Sequence, residues 1–115
     1  MSPALRIAAA CERYGGETVV GACIALLGGA DAEPGLVVAL GGPHAESVLG
    51  QGVPEVHRYW LRTWGARGLL YTWDEAAGDE VVRALVEGCG DEVWRVREMV
   101  CKVLARRAAL LPAGA

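Results

Sequence analysis

The feature that most constrains this fold is a self-similarity at an offset of 34 residues in the second half of the chain. The segment 59–70 (YWLRTWGARGLL) aligns with 93–104 (VWRVREMVCKVL), so that Trp60 falls on Trp94 and Leu70 on Leu104. A shorter stretch with helical patterning precedes each copy. A period of this length built from helix pairs is typical of α-solenoids, in which stacked pairs bury one continuous core.

The second copy carries the more specific motif. The segment 91–98 (DEVWRVRE) resembles the pattern of HEAT repeats, and 79–87 is similar to the first helix of the same unit. In that family an aspartate and an arginine form a ladder between neighbouring repeats, which implies a structural ladder of Asp91 and Arg97. A buried arginine at such a seam needs a carboxylate partner. The first copy has His57 and Thr63 at the corresponding positions, so we do not expect the ladder to continue upstream.

The resemblance implies an all-α fold, a HEAT-like α–α superhelix forming a right-handed solenoid of about six or seven helices. We expect a single domain over 1–115. An N-terminal helical cap would occupy 1–53, HEAT-like repeats 54–109 and a flexible tail 110–115. The runs 58–68 and 94–99, rich in arginine and tryptophan, also resemble small actinobacterial proteins described only as containing HEAT repeats. That description implies no activity.

Glycine doublets divide the first half of the chain at intervals of thirteen residues, at 15–16, 28–29 and 41–42. A glycine just past a helix can adopt the left-handed conformation that closes the last turn. The residues Val19–Val20 and Leu36–Val38 would also suit buried strands, but their small neighbours favour helices. The predicted helices span 3–14, 17–27, 32–40, 43–50, 55–72, 75–88 and 92–109. The candidate N-caps are Asp31, Asp74 or Asp79, and Asp91.

The charge balance argues against a general nucleic-acid binder. The net charge is −3, and acidic residues dominate the first half, whereas 91–115 is locally basic. The longest apolar stretch, 19–27, is too short to span a bilayer. No signal peptide opens the chain, so we expect a cytoplasmic protein without membrane association.

The four cysteines form no C-x-x-C pair, and His44 and His57 do not lie at metal-finger spacing from them. We expect reduced, buried cysteines that behave as small hydrophobic residues, with a metal or disulfide role as the alternative. We expect no metal and no cofactor. The cysteines are Cys11, Cys23, Cys89 and Cys101.

No catalytic constellation is evident, and the sequence predicts a protein that is not an enzyme. The only serines are Ser2 and Ser47, and neither lies in a nucleophile elbow. The glycine doublets do not match nucleotide-binding motifs. Some HEAT-fold proteins are alkylpurine DNA glycosylases, which use a tryptophan, an aspartate and an arginine. This chain is acidic and about half their length, so DNA binding or repair is the alternative function.

In HEAT solenoids the second helix of each pair lines the concave face. Helical spacing places four charged residues of the last helix on one stripe, and the offset of 34 places Leu61 and Trp64 on the equivalent stripe. We interpret these stripes as a groove for an unidentified protein, with Trp64 as the apolar anchor. Alternatively, the N-terminal helices cover Trp64 and the charges form a solvated face. The charged residues are Arg95, Glu98, Lys102 and Arg106.

Two further possibilities follow from the same region. The open end of a short solenoid could pack against a second copy, which makes a homo-oligomer possible. In the first repeat Trp60, Trp64, Arg67 and Tyr71 lie at helical spacing, so Arg67 could stack on a tryptophan or the group could be a packing seam. We expect Trp60 and Trp94 to be structural, because they occupy equivalent repeat positions.

Overall fold

The computed structural model describes residues 2–50 and 57–109, and these form seven α-helices. The helices are α1 Pro3–Tyr14, α2 Gly16–Leu27, α3 Pro34–Gly41, α4 Pro43–Gly50, α5 Tyr59–Tyr71, α6 Gly78–Gly88 and α7 Trp94–Ala109, with a 3₁₀ turn at Glu75–Ala77. The described residues include no strand, which confirms the all-α prediction and the helical interpretation of 19–20 and 36–38. The predicted tail 110–115 lies outside the described residues, as do 55–56 of the predicted helix 55–72.

The glycine doublets end three helices, as predicted. Gly15, Gly29 and Gly42 all have a positive φ, between 76° and 90°, which a residue with a Cβ adopts only at a cost. At the start of α1 the Ser2 hydroxyl accepts a hydrogen bond from Leu5 N at 3.2 Å. Pro3 occupies the first turn of the same helix, where its missing N–H is not needed.

Two of the predicted caps are wrong. The residue before α3 is Glu33, which makes no capping hydrogen bond, and Asp31 instead pairs with Arg58 at 3.0 Å. Asp79 lies inside the first turn of α6. Asp74 does cap, since its Oδ1 accepts a hydrogen bond from Ala76 N at 3.0 Å, but it caps the 3₁₀ turn that precedes α6.

Helix α5 lies at the centre of the fold and packs against α2, α3 and α7. It runs antiparallel to α2, because Gly68, late in α5, lies against Cys23, whereas Leu61, early in α5, lines a cleft with Leu26 and Gly29. It runs parallel to α7, because Arg62 contacts Asp91 before α7 and the carbonyl of Leu69 accepts a hydrogen bond from the far end of α7. The two helices related by the offset of 34 residues are therefore neighbours with the same direction.

Helix α6 runs parallel to α2 in the space beside α7. Near its start, Ala77 and Glu80 line a cleft with Gly21 of α2. At its end, a Cβ on Gly88 would lie 3.4 Å from Leu27 and 2.8 Å from Val100 of α7. The short helices α3 and α4 pack against each other, and α3 also packs on α1 and α5. Within the described residues, no helix is long and apolar enough to cross a membrane.

Candidate binding surface

The charged stripe predicted on α7 lies on the surface of the molecule. Its four residues are exposed, and Lys102 Nζ lies 3.8 Å from Glu98 Oε1, one helical turn away. An exposed pair of this kind contributes little to stability. The side chains are therefore available for a partner, and their arrangement is that of a solvated helix face. They are Arg95, Glu98, Lys102 and Arg106.

The stripe on α5 that should have supplied an apolar anchor is buried. Trp64 is only 2% exposed and Leu61 is 5% exposed, so neither side chain reaches a partner in this conformation. The interpretation of Trp64 as the groove's anchor is therefore wrong, and the alternative, cover by the N-terminal helices, describes the fold.

The cover over Trp64 comes from the junction of α3 and α4. The His44 ring meets the Trp64 ring edge-on at 5.7 Å between centroids. A Cβ on Gly41 would lie 2.8 Å from two ring carbons of Trp64 and closer still to the Cβ of Ala45. Only a glycine at 41 lets the chain pass this close to the indole. The two short helices thus cover the face of α5 that carries Leu61 and Trp64. In the 34-residue alignment, this face corresponds to the exposed charged stripe of α7.

A cluster of aromatic rings and an arginine reaches the surface beside this junction. The rings of Tyr59 and Trp60 are 4.9 Å apart, and His44 meets Trp60 edge-on at 5.4 Å. The Arg95 guanidinium lies 5.6 Å from the centre of the Trp60 ring and 4.7 Å from that of Trp94. Arg95 therefore connects a ring of α5 to a ring of α7 by cation–π contacts. We call His44, Tyr59, Trp60, Trp94 and Arg95 the aromatic–arginine surface.

Trp94 was expected to be structural, but it is 54% exposed. The buried residues of α7 are Val96, Val100 and Val103, and Trp94 lies about 200° round the helix from Val96. Helical periodicity within α7 was the signal that could have identified it. The alignment with Trp60 obscured that signal, because the two aligned tryptophans differ in burial, Trp60 being half-buried and Trp94 exposed.

Arg67 does not stack on a tryptophan, so the cation–π interpretation of this residue is wrong. Its Nη2 donates a hydrogen bond to the carbonyl of Leu40 at 2.7 Å, and Arg6 Nε donates to the neighbouring carbonyl of Ala39 at 3.3 Å. Both arginines thus bind the C-terminal end of α3, where cations are favourable. Burial, and then the charge of Arg6, lower the pKa of Arg67.

Asp91 forms the seam between α5 and α7, with a partner other than the predicted one. Arg62 Nε donates to Asp91 Oδ2 at 2.7 Å, and Arg62 Nη2 donates to Oδ1 at 3.3 Å. Arg97 donates instead to the backbone carbonyl of Asp91, at 2.7 Å. The predicted Asp91–Arg97 ladder is therefore corrected: the carboxylate binds an arginine of the preceding copy, and Arg97 binds the turn.

The same carboxylate also orders the start of α7, since Oδ1 accepts a hydrogen bond from Val93 N at 2.8 Å. Partial burial alone would raise the pKa of Asp91. The hydrogen bonds from Arg62 and Val93 N, with the positive charges of Arg62 and Arg97, outweigh that effect and lower the pKa.

The cysteines divide into two groups, and the prediction of four buried thiols is wrong for Cys89 and Cys101, which are exposed. Burial raises the pKa of Cys23 to about 12, and the nearby Cys11 adds to the shift. Cys11 is half-buried and donates a weak hydrogen bond to Thr72 Oγ1 at 3.5 Å. Within the described residues no cluster of side chains could hold a metal ion.

The sequence did not predict a second concave region, a shallow groove of about 730 Å³ between α1 and the α3–α4 pair. Arg6 and Arg13 lie on its α1 wall, and Glu33 and Glu46 lie on the opposite wall. Between them the lining consists mostly of alanine, proline and valine. The groove carries opposed charges and has no convergent set of catalytic groups.

The chain matches no protein-family model, no curated protein and no solved structure.

Proposed function

We propose that this chain is a short HEAT-like solenoid that acts as a non-enzymatic adaptor and binds another protein through the aromatic–arginine surface. The observation that carries this proposal is Arg95, an exposed arginine in contact with the rings of both Trp60 and Trp94. Tryptophan, tyrosine and arginine dominate binding hot spots, because they offer large contact areas and directed polar groups. The proposed binding site therefore lies on the surface between α5 and α7, and not at Trp64 as the sequence suggested.

The helix directions support the solenoid part of the proposal. In a two-layer solenoid, corresponding helices of successive units run parallel, as α2 and α6 do in one layer and α5 and α7 do in the other. Under this interpretation α3 and α4 are an insertion between the two helices of one unit.

The charges around the surface suggest the chemistry of the partner. Lys102 and Arg106 continue from Arg95 along one flank of α7, with Glu98 as the nearby acidic side chain. A partner segment with an apolar side chain for the space beside Trp94, flanked by carboxylates for the α7 cations, would match this surface. Such charges favour association rate and specificity more than affinity.

The test compares two exposed arginines. The protein and its Arg95→Ala and Arg83→Ala variants are used to capture partners, and the affinity of the captured partner is measured by titration calorimetry. We expect Arg95→Ala to weaken binding by roughly 30-fold or more, as removal of a hot-spot residue does. Arg83, on α6, is the matched control and should bind as the wild type does. Equal affinities of all three proteins would contradict the proposed surface.

Nucleic-acid binding is the second candidate, favoured by the exposed charges of α7. Four basic residues, Arg95, Arg97, Lys102 and Arg106, are exposed on this helix against the single acidic residue Glu98. If these cations contact phosphates, the affinity for duplex DNA should fall steeply with salt, since counterions are released on binding. A DNA affinity that is weak and insensitive to salt would exclude this candidate.

A further inference from the structure

The groove between α1 and the α3–α4 pair has a long side chain of α1 against a glycine at each end. At the start of α3, a Cβ on Gly35 would lie 2.6 Å from the Tyr14 hydroxyl. At the end of α3, a Cβ on Gly42 would lie 2.9 Å from Arg6 Cζ, and Arg6 Nε donates to the carbonyl of Ala39 at 3.3 Å. Helices α1 and α3 are therefore antiparallel, and their side chains connect the two walls at both ends.

Small side chains leave the middle of the groove unfilled. The α1 wall carries Ala9 and Ala10 there, and α3 contributes Val38 and Ala39. Alanine is too short to span the gap that the longer side chains bridge at the ends, so a space of about 730 Å³ remains. Short side chains also let another helix approach closely, since the distance between packed helices depends on the residues at the contact.

Each end of the groove has a cation on the α1 wall and a carboxylate on the opposite wall. At the end of α3 these are Arg6 and Glu46. At its start they are Arg13 and Glu33. Among the residues that the structure describes, neither glutamate forms an ion pair. The α1 wall therefore presents positive charge, and the α3–α4 wall presents negative charge, at both ends of an apolar floor.

The spacing of the two arginines favours a helical occupant. Arg6 and Arg13 are seven residues apart on α1, on one face and about 10.5 Å apart along the axis. A helix lying alongside repeats its own side chains at i and i+7 over that same distance. An extended strand repeats one face at about 6.7 or 13.4 Å, which fits less well.

Two other classes of occupant match the groove less well. A polyproline helix repeats one face at about 9.3 Å, but its ligands bind grooves lined by aromatic rings. Tyr14 is the only ring among the described residues of this lining, and its hydroxyl lies against Gly35. A small molecule usually buries most of its surface, whereas this shallow groove is open to solvent along its length.

We propose that the groove binds an amphipathic α-helix of a partner protein. The apolar strip of that helix lies on the groove floor, its acidic side chains, seven residues apart, face α1, and its basic side chains face α3 and α4. This site goes beyond the proposed adaptor function, because the groove shares no residue with the aromatic–arginine surface. The chain thus has separate sites for two partners.

A phage-displayed peptide library tests the site. The peptides have about 18 residues, long enough for a helix to form alone, with one face of an alanine-based helix randomised. We expect selection on the wild type to enrich acidic residues at i and i+7 and basic residues on the other flank. As synthetic peptides they should bind with dissociation constants below about 100 µM by fluorescence anisotropy. Arg95→Ala should not change these constants, which separates this site from the adaptor surface.

Ala9→Trp fills the groove, and Ala8→Trp is its matched control. Both alanines are exposed on α1, but Ala8 is outside the lining. Ala9→Trp should weaken peptide binding at least about 30-fold, because the indole clashes with the docked helix, and Ala8→Trp should bind as the wild type does. Circular dichroism verifies that both variants are folded.

Several results would overturn the proposal. One is a selection that yields no peptide sensitive to Ala9→Trp. Another is peptides that bind the two tryptophan variants equally. A third is self-association of the protein, seen by sedimentation, that Ala9→Trp abolishes, since a second copy would then occupy the groove.

A charge exchange tests the orientation of the two flanks. Each of the two acidic residues of a selected peptide is replaced by lysine in turn, which should weaken binding about tenfold at low salt because like charges then meet. Arg13→Glu should restore the affinity of one of the two altered peptides. Arg83→Glu makes the same charge change on α6, outside the groove, and should restore neither. Failure of Arg13→Glu to restore either peptide would overturn the assignment of the acidic flank to α1.

Discussion

Asp91 is the residue at which the two copies of the repeat are joined. Its carboxylate binds Arg62 of α5 through two hydrogen bonds and also accepts from Val93 N, while its carbonyl accepts from Arg97. The Asp91 side chain is only 11% exposed, so water replaces a lost partner poorly. The loss in the free energy of unfolding when Arg62 or Arg97 is removed should therefore depend on which atom of Asp91 that arginine binds.

Replacing Arg62 by alanine should lower the free energy of unfolding by about 1–3 kcal/mol, because it leaves a largely buried carboxylate without its charged partner. Arg97→Ala is the matched control. It removes an exposed donor to a backbone carbonyl that can bind water instead, so its loss should be below about 1 kcal/mol. Urea denaturation of both variants at neutral pH measures the difference. If Arg97→Ala proved the more harmful change, the assignment of Arg62 as the seam partner would be wrong.

The same ion pair should make stability depend on pH. The pKa of Asp91 is lowered in the folded protein, so its contribution is fully present above the unfolded pKa of about 3.9 and is lost as the pH falls through the folded value. The stability difference between wild type and Arg62→Ala should therefore be constant near neutral pH and shrink in acid below about pH 4. Urea titrations across this range measure it. A difference that grew in acid would contradict the argument.

At the scale of single side chains, the sequence predicted the exposure of charged residues better than the exposure of tryptophans. The charged stripe of α7 is on the surface, as helical periodicity required. The burial of Trp64 and the exposure of Trp94 could not be read from a 34-residue alignment. The burial of Trp64 depends on His44 and Gly41, which lie far away in sequence and belong to a segment without a counterpart in the second copy. The exposure of Trp94 follows from its place in the helical periodicity of α7.

At the scale of helices, the contact between α2 and α5 depends on two small residues of α5. Gly65 and Gly68, one turn apart, let α2 approach so closely that a Cβ on Gly65 would lie 2.7 Å from the carbonyl oxygen of Cys23 and 2.9 Å from the Cβ of Leu26. The first of these neighbours is backbone, so relief would require the whole helix to move. The close packing of α2 on α5 therefore requires glycine, which has no side chain, at positions 65 and 68.

Gly65→Ala should destabilise the fold by about 1–3 kcal/mol through overpacking, despite the better helix propensity of alanine. Gly21→Ala on α2 is the matched control, because nothing lies within 4 Å of a Cβ at that position. That change should stabilise the protein by up to about 1 kcal/mol. Thermal unfolding of the two variants should thus shift in opposite directions. A stabilised Gly65→Ala protein would show that α2 and α5 are not in close contact.

The positions of the helices were largely predictable from the sequence, because glycine and proline act locally. The prediction 3–14 coincides with α1, and the glycine doublets end α1, α2 and α3. The wrong cap at Asp31 has a local cause, since Pro34 begins α3 and makes Glu33 the N-cap residue, so that Asp31 lies two residues too early. The packing of α6 against α2 depends on contacts between residues that are far apart in sequence, and no local sequence pattern predicts it.

At the scale of the molecule, the two halves of the chain share one hydrophobic core. Cys23, Leu26 and Leu40 of the first half pack on Gly65 and Gly68 of α5. The core continues through Val81, Leu85 and the buried valines of α7. The N-terminal helices are therefore a structural partner of the repeat region, since without them the central helix would expose most of its apolar surface.

A chain that begins at Pro54 should consequently fail to fold alone. Without α2 and α3, the surface of α5 that carries Leu61, Trp64 and Gly68 would face water, and the remaining helices bury too little apolar area for a stable domain. We expect this fragment to lack the cooperative thermal transition of the full chain, as followed by circular dichroism. A cooperative transition in the fragment would show that the repeat region folds independently of the first half.

The stacking of Trp60 on Trp64, with ring centroids 6.2 Å apart and planes 24° from parallel, has an optical consequence. Two indoles this close couple their electronic transitions, and the coupled pair gives a circular dichroism couplet that separated tryptophans do not. The turn between α3 and α4 covers Trp64, and the Arg95 guanidinium lies between the rings of Trp60 and Trp94. The couplet therefore reports docking of the first half of the chain on the second, without any added label.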